Sequence, residues 1–335
     1  MVHAQSDRHF ICVMRFLLLC TLACLLLIGC DGLNAPDGST PGGKADPNKP
    51  KIVSLTPAIT QMLIDMGLRD QLVGVSKEDD ASLGLPVCGS YNNPVIAKII
   101  ELQPDLVLTE SSQPDSSDVP PLLRSLADEG VFELRVIAHS RSIADVERAL
   151  TDAKQGLGPA VGDSDSAERA RKLMALRIDL VSAAIQDAPK PRVLMLINPT
   201  TLGAIGTGVT HDELLRLAGG TNALASFDTG YLTLDRAQLQ QTIRPDVILI
   251  LEPGGSELTD NDPRLRALEG LTVPAVMNRR FSVIQHPQAM LPSTALPEVL
   301  VEIATVLHPD RAAAIREAYD AAEQVLAKTT GGDGS

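Results

Sequence analysis

The sequence predicts an α/β fold of two lobes, each built on a parallel-rich sheet, and three observations carry that prediction. From Lys51 onward, short β-branched runs alternate with helical patterns, which is how parallel strands and their covering helices read. A unit of helix, Pro-Asp and apolar strand occurs twice, as IIELQPDLVLTE over residues 99–110 and as LQQTIRPDVILILEP over residues 239–253. Such an internal echo marks two similar halves. Between them runs a charged segment with apolar residues at helical spacing, which reads as one stiff connector.

Ahead of the folded body, Phe16 to Gly29 (FLLLCTLACLLLIG) is continuously apolar and follows Arg15. Its 14 residues fall short of the roughly 20 that a spanning helix needs, so residues 1–29 read as a signal peptide. Leu27-Ile28-Gly29-Cys30 resembles the bacterial lipobox, and Cys30 is the expected site of lipidation after cleavage. Met14 is an alternative start. Residues 30–50, rich in Gly, Pro, Asp and Ser, hold too little apolar surface to fold and read as a flexible tether. Lipid anchoring and an extracytoplasmic location follow as expectations.

The bulk composition narrows the partners. A net charge of -13 argues against nucleic acid, or an anionic bilayer surface, as the main partner, because both need a basic face. Aromatic residues make up only 2%, without any Trp, so few aromatic walls are possible in a ligand site. Four of the five cysteines fall at or before Cys30; Cys88 alone remains in the body, and a lone thiol staples nothing.

In the first half, residues 51–160, IVSL (52–55) reads as a strand. Thr56 and Pro57 then supply an N-cap and a proline at the first helical position. Ile59, Met62, Leu63 and Met66 follow at helical spacing, and Gly67 closes the helix. Gln71 to Val75 is the second strand, Val95 to Leu102 the next helix, and Leu106 to Leu108 the strand after Pro104-Asp105.

Residues 161–190 form the connector, with one helix expected over 164–187 and Leu173, Leu176, Leu180 and Ile185 on its apolar face. In the second half, residues 191–335, RVLMLI (192–197) reads as a strand and Thr210-His211-Asp212-Glu213 as a capping box. A helix over 234–243, the strand VILIL (247–251) and an amphipathic tail helix over 309–326 complete it. GAIGTG (203–208) lacks the lysine of a phosphate-cradling loop and reads as a turn needing glycine conformations.

KIVSLTPAITQMLIDMG with IIELQPDLVLTE, and LLRLAGGTNALA with RPDVILIL, resemble the helical-backbone class of ABC-transporter substrate-binding proteins, whose members include binding proteins for vitamin B12, haem and ferric siderophores. The resemblance covers nearly all of Lys51 to His308. It implies two Rossmann-like lobes joined by one long backbone helix, a ligand cleft between them, an ABC permease as partner, a monomer, and no cofactor or metal held by the protein itself.

Ligands of open α/β sheets sit outside the carboxyl ends of the strands. The candidates there are Thr56, Pro57, Tyr91 and Glu110 in the first lobe, and Thr200, Thr201, Tyr231, Glu252, His286 and Met290 in the second. Tyr91 stands 13 residues before Pro104 and Tyr231 14 before Pro245, so the two tyrosines are near-equivalent, one per lobe. In B12-binding relatives an aromatic ring lies against the ligand near the first of these places. His286 and Met290 are residue types that can ligate haem iron or a corrin cobalt; each tyrosine or histidine can equally serve its own lobe.

The resemblance also implies a surface Glu on each lobe, seven residues before the Pro of Pro-Asp, for docking to the transporter. Here those positions are Ala97 and Gln238, with Glu101 and Asp235 the nearest acids, and Gln61 stands where the family usually has Glu. The leading expectation is therefore capture of a cobalamin-, haem- or iron-chelate-type ligand for an importer, and the alternative is a transporter-free sensor or scavenger lipoprotein. A hydrolase or chelatase is disfavoured: the sequence holds no G-x-S-x-G, H-E-x-x-H, Walker loop or C-x-x-C, and its body histidines, at 139, 211, 286 and 308, are widely separated.

Overall fold

The computed structural model describes residues 49–227, 229–259 and 261–330. The leader, Cys30 and the tether up to residue 48 lie outside the described residues. Among those described, no helix is long and apolar enough to cross a membrane.

The first lobe carries a four-stranded, wholly parallel sheet in the order β2-β1-β5-β6. Its strands are β1 (Ile52–Ser54), β2 (Leu72–Gly74), β5 (Leu106–Ser111) and β6 (Glu133–Ala138). Short strands β3 (Gly89–Ser90) and β4 (Asn93–Pro94) pair as a separate hairpin. Helices α1 (Pro57–Asp65), α2 (Ile96–Leu102), α3 (Pro121–Asp128) and α4 (Ile143–Thr151) cover the sheet. Pro57 starts α1, but the Thr56 side chain makes no capping bond. Strand β6 escapes sequence reading because ELRVIA alternates charge with aliphatic residues, as suits an edge strand with one wet face.

After the short helix α5 (Leu157–Val161), the connector is helix α6 (Ser164–Ala184). Its most buried stripe is Ala167, Ala170, Met174, Ile178 and Val181, rather than the Leu173, Leu176 and Leu180 face. Those leucines are half-buried because α6 is covered on two sides, by α4 and α5 and by the terminal helix α11 (Ala312–Thr330). One apolar cluster runs from Ile59, Met62 and Leu150 through Met174 and Ile178 to Val193 and Leu249 in the second lobe. Burial of each such side chain stabilises by about 1.5–3 kcal/mol, so the lobes share a core at their base.

The second lobe holds β7 (Arg192–Asn198), β8 (Gly203–Ile205), β9 (Thr221–Asn222), β10 (Tyr231–Thr233), β11 (Val247–Leu251) and β12 (Phe281–Ile284). The order is β10-β8-β7-β11-β12, with β9 beside β7; β8 runs antiparallel to β7 and β10, and the other pairings are parallel. Helices α7 (Thr210–Leu217), α8 (Arg236–Gln238, continued by a wide turn over Leu239–Ile243), α9 (Pro274–Met277) and α10 (Leu296–Leu307) complete it.

Two local expectations are corrected here. Thr210 does not cap α7: Val209 is the N-cap residue, without a side-chain capping bond. The carboxylate of Glu213 instead accepts from the backbone amide of Ile143 across the lobes, at 3.0 Å. The capping box of the second lobe is Asp235 with Gln238. The glycine run is partly strand, and Gly206 lies so close to the 229–231 segment that a Cβ there would stand 1.9 Å from the Thr229 carbonyl oxygen.

Candidate functional site

A cavity of about 480 Å³ opens between the two sheets. The first lobe contributes Ser112 from the end of β5 and His139, Ser140 and Arg141 from the end of β6. Opposite them stand Gly208, Val209, Thr210 and His211, where the chain enters α7. Gly230 and Tyr231 at the start of β10, with Met290 and Pro292 after β12, close the remaining side. The first-lobe wall is thus hydroxyl, imidazole and guanidinium, whereas Val209, Tyr231, Met290 and Pro292 form a largely apolar wall.

His139 Nδ1 lies 2.9 Å from Glu110 Oε1, and this hydrogen bond to the carboxylate raises the imidazole pKa. It directs the other ring nitrogen, Nε2, away from Glu110. On the facing wall His211 is buried, its Nε2 donating to the Ala289 carbonyl at 2.8 Å. Its Nδ1 has no partner, and burial pushes its pKa down. Tyr231 is 52% exposed on the cavity wall, and its ring is an apolar plane available to a ligand.

Of the residues expected from sequence, Tyr231 and Met290 line this cavity. Glu110 stands behind His139 as its partner. Thr56 is buried with its hydroxyl unpartnered, in a polar nest where the Thr60 hydroxyl donates to Asp79 at 3.0 Å and Ser76 N–H donates to the same carboxylate at 2.8 Å. Burial pushes the Asp79 carboxyl up to about 6.

Other candidates lie elsewhere. Tyr91 sits in the turn of the β3–β4 hairpin, exposed and outside the cavity lining. Thr200 and Thr201 belong to the turn between β7 and β8, held by Asn198 Oδ1 at 3.1 Å from Thr201 N. Glu252 is engaged by Arg264, which also pairs with Asp262 at 2.7 Å. His286 Nδ1 accepts from the Gln288 amide at 3.1 Å. On the outer surfaces, Ala97 is exposed, Glu101 pairs with Lys98 at 3.0 Å, and the Asp235 carboxylate is held by the Gln238 amide at 2.7 Å.

Residues 52–287 match the family model described as periplasmic binding protein. The chain belongs to the periplasmic binding protein family. Among its relatives, a vitamin B12-binding protein of Vibrio vulnificus is 24% identical over 206 residues, 60% of this chain and 70% of that protein. An uncharacterized ABC transporter substrate-binding lipoprotein of Bacillus subtilis is 25% identical over 271 residues, 78% of this chain and 80% of the relative. In fold the chain is similar to a periplasmic heme-binding protein from Pseudomonas aeruginosa (TM-score 0.63, 21% identity, 78% of this chain and 93% of that one). It is also similar to the periplasmic vitamin B12 binding protein of Vibrio cholerae (TM-score 0.58, 21% identity, 77% and 96%).

As a member of that family, this chain is a binding protein and not an enzyme. Sequence reading missed Ser112, Ser140, Arg141 and the entrance to α7, and it treated His139 and His211 only as isolated histidines. The legible signal for Ser140 and Arg141 was a Ser-Arg-Ser run directly after an aliphatic alternation, HSRS after ELRVIA. That run includes His139; for Ser112, His211 and the entrance to α7 no local signal was available, because their place on the cavity wall comes from contacts between residues distant in the chain.

Proposed function

We propose that this periplasmic binding protein is the solute-binding lipoprotein of an ABC importer, capturing a cobalamin-, haem- or iron-chelate-type ligand between its lobes and delivering it to a permease in the same membrane. The carrying observation is the cavity of about 480 Å³ walled by both lobes, polar on one side and apolar on the other, which suits a large ligand with an apolar body and polar substituents. Relatives named for vitamin B12 and heme support the ligand class. The run Leu27 to Cys30 supports a lipid anchor on Cys30, and the chain acts as a monomer. The site residues of this reading are Tyr231, Met290, His139 and Arg141, with Glu110 positioning His139.

The test is absorbance and calorimetric titration of the protein with cyanocobalamin, haemin and a set of ferric siderophores. Binding of one of them at about micromolar Kd or tighter, weakened in Tyr231→Ala and little changed in Tyr91→Ala, is the expected result; binding of none would sink the reading.

A second reading, a transporter-free sensor or scavenger, is favoured by one specific feature. The docking positions hold Ala97 and Gln238, and the neighbouring acids Glu101 and Asp235 are already engaged by Lys98 and by the capping box. Stimulation of a reconstituted permease by the ligand-loaded protein decides between the two readings.

A further inference from the structure

A second cavity, of about 410 Å³, lies under the second lobe at the edge of the sheet away from the cleft. Strands β7, β11 and β12 run parallel, so Pro191, Asp246 and Arg280, each the residue immediately before one of them, share one edge, and all three line this cavity. Met290 and Pro292, which follow β12, line the cleft at the opposite edge. The 5 residues of β11 set the two cavities about 16 Å apart, so both can be filled at once.

His308, at the end of α10, belongs to the wall of this basal cavity. The residue is 3% exposed, and its Nε2 meets the Ala218 carbonyl at 3.1 Å. A carbonyl only accepts, so Nε2 carries the ring proton, and burial pushes the imidazole pKa down, which keeps the ring neutral. Nδ1 is therefore a lone-pair acceptor. It has no hydrogen-bond partner among the described residues, and unlike Nδ1 of His211 it is not sealed from solvent. The small accessible part of the ring thus opens on the cavity that His308 lines.

The charges around this nitrogen do not satisfy one another. Lys190 and Arg280 bring cations to the cavity and Asp246 and Asp310 bring carboxylates, yet no ion pair forms among them, and the side chains of Lys190, Arg280 and Asp310 have no partner among the described residues. Asp246 gives one oxygen to the Arg192 amide at 2.9 Å and keeps the other. Elsewhere neighbouring opposite charges close directly, as Arg264 does on Asp262 at 2.7 Å. The two acids disfavour a simple anion here, and the two cations disfavour a metal ion or a bare amine. One molecule carrying both signs suits all four side chains and supplies the donor that Nδ1 lacks.

We propose that this basal cavity binds a small ammonium carboxylate, a free amino acid or a short peptide, whose ammonium donates to His308 Nδ1 and the Asp310 carboxylate and whose carboxylate accepts from Arg280 and Lys190. A cavity of this size admits such a molecule, and each contact is charge-assisted. The site stands on its own residues and holds whichever ligand fills the cleft.

The experiment titrates the full-length chain in detergent, by calorimetry, with the common L-amino acids and with triglycine, each up to millimolar concentration. At least one of these binds, one per chain. Its N-acetyl derivative and its carboxamide, each lacking one charge, bind at least about tenfold more weakly, the scale of one charge-assisted hydrogen bond. Arg280→Met and Asp310→Asn, both at exposed positions, erase the discrimination against the carboxamide and against the N-acetyl derivative respectively. With isotope-labelled histidine, the NMR resonance of His308 Nδ1 shifts on binding, a readout that leaves the hold on Ala218 intact. Tightest binding of an amino acid assigns the site to free amino acids, and tightest binding of triglycine assigns it to peptide termini. Binding of none, equal binding of the singly charged derivatives, or an unmoved His308 resonance overturns the proposal. So does binding that Tyr231→Ala abolishes and Arg280→Met leaves alone, since the probe then sits in the cleft.

Discussion

The side-chain amide of Gln288 donates to that of Gln61 at 2.7 Å, joining the loop after β12 to helix α1 of the other lobe. The bond is one side of a closed polar ring. Gln61 Nε2 donates to Asp65 Oδ1 at 3.0 Å, the Thr294 hydroxyl donates to Asp65 Oδ2 at 2.5 Å, and the Ser293 hydroxyl donates to Gln288 Oε1 at 2.7 Å. Met290 and Pro292, which line the cavity, lie within the loop this ring ties down. The ring therefore ties the cavity-lining loop of the second lobe to α1 of the first.

Gln61→Ala and Gln288→Ala each lower stability by about 1 kcal/mol, the usual scale of one lost hydrogen bond with partial exposure. Because both remove the same bond, the double variant costs less than the sum by about 0.5–1 kcal/mol. A double-mutant cycle from urea unfolding measures this; strict additivity would show that the ring is not coupled.

Titration of His139 gives a pH signature. Its folded-state pKa is raised, first by the hydrogen bond to Glu110, so the native state holds the proton more tightly than the unfolded chain does. The stabilisation is complete below the unfolded value of about 6.5 and is lost as pH rises through the higher folded value. The difference in stability between wild type and His139→Gln should shrink over that span, and a difference independent of pH would contradict the pair.

Asp79 has the opposite consequence from the usual carboxylate. Desolvation raises its pKa from 3.8 to about 6, so the folded state binds the extra proton. Stability contributed at this site falls as pH rises from about 4 to about 6. Asp79→Asn keeps an acceptor for Ser76 N–H and the Thr60 hydroxyl but carries no charge. Its stability relative to wild type should rise across that interval, which thermal melts at several pH values would reveal.

Gly206→Ala places a Cβ 1.9 Å from the Thr229 carbonyl oxygen, a backbone atom that cannot swing aside. A cost of about 3 kcal/mol is expected from such overpacking, together with weaker ligand binding, since Gly206 lies between β8 and the entrance to α7. An unchanged urea midpoint would mean that the 229–231 segment moves freely.

Much of the framework was legible in the chain. The strand at 247–251 and the helix beginning at Pro57 emerge with the expected type and near the expected bounds, because apolar runs bounded by proline and glycine leave few choices. Strand β6 was hidden by its charged outer face, and the capping box expected at Thr210 does not form: Val209 is the N-cap residue and Glu213 takes a partner 70 residues away. Local rules see only local partners.

By itself the sequence determined the α/β class, the repeat of two lobes around a helical connector, and the tyrosine at 231 as a pocket candidate, since periodicity, punctuation and internal echo are properties of neighbouring residues. Only the tertiary structure decided that His139 and Arg141 face His211 across the cleft while Glu252 and His286 are engaged within their own lobe. Which polar groups remain unpaired, and therefore available to a ligand, depends on every contact the folded chain makes, and those contacts join residues that are distant along the chain.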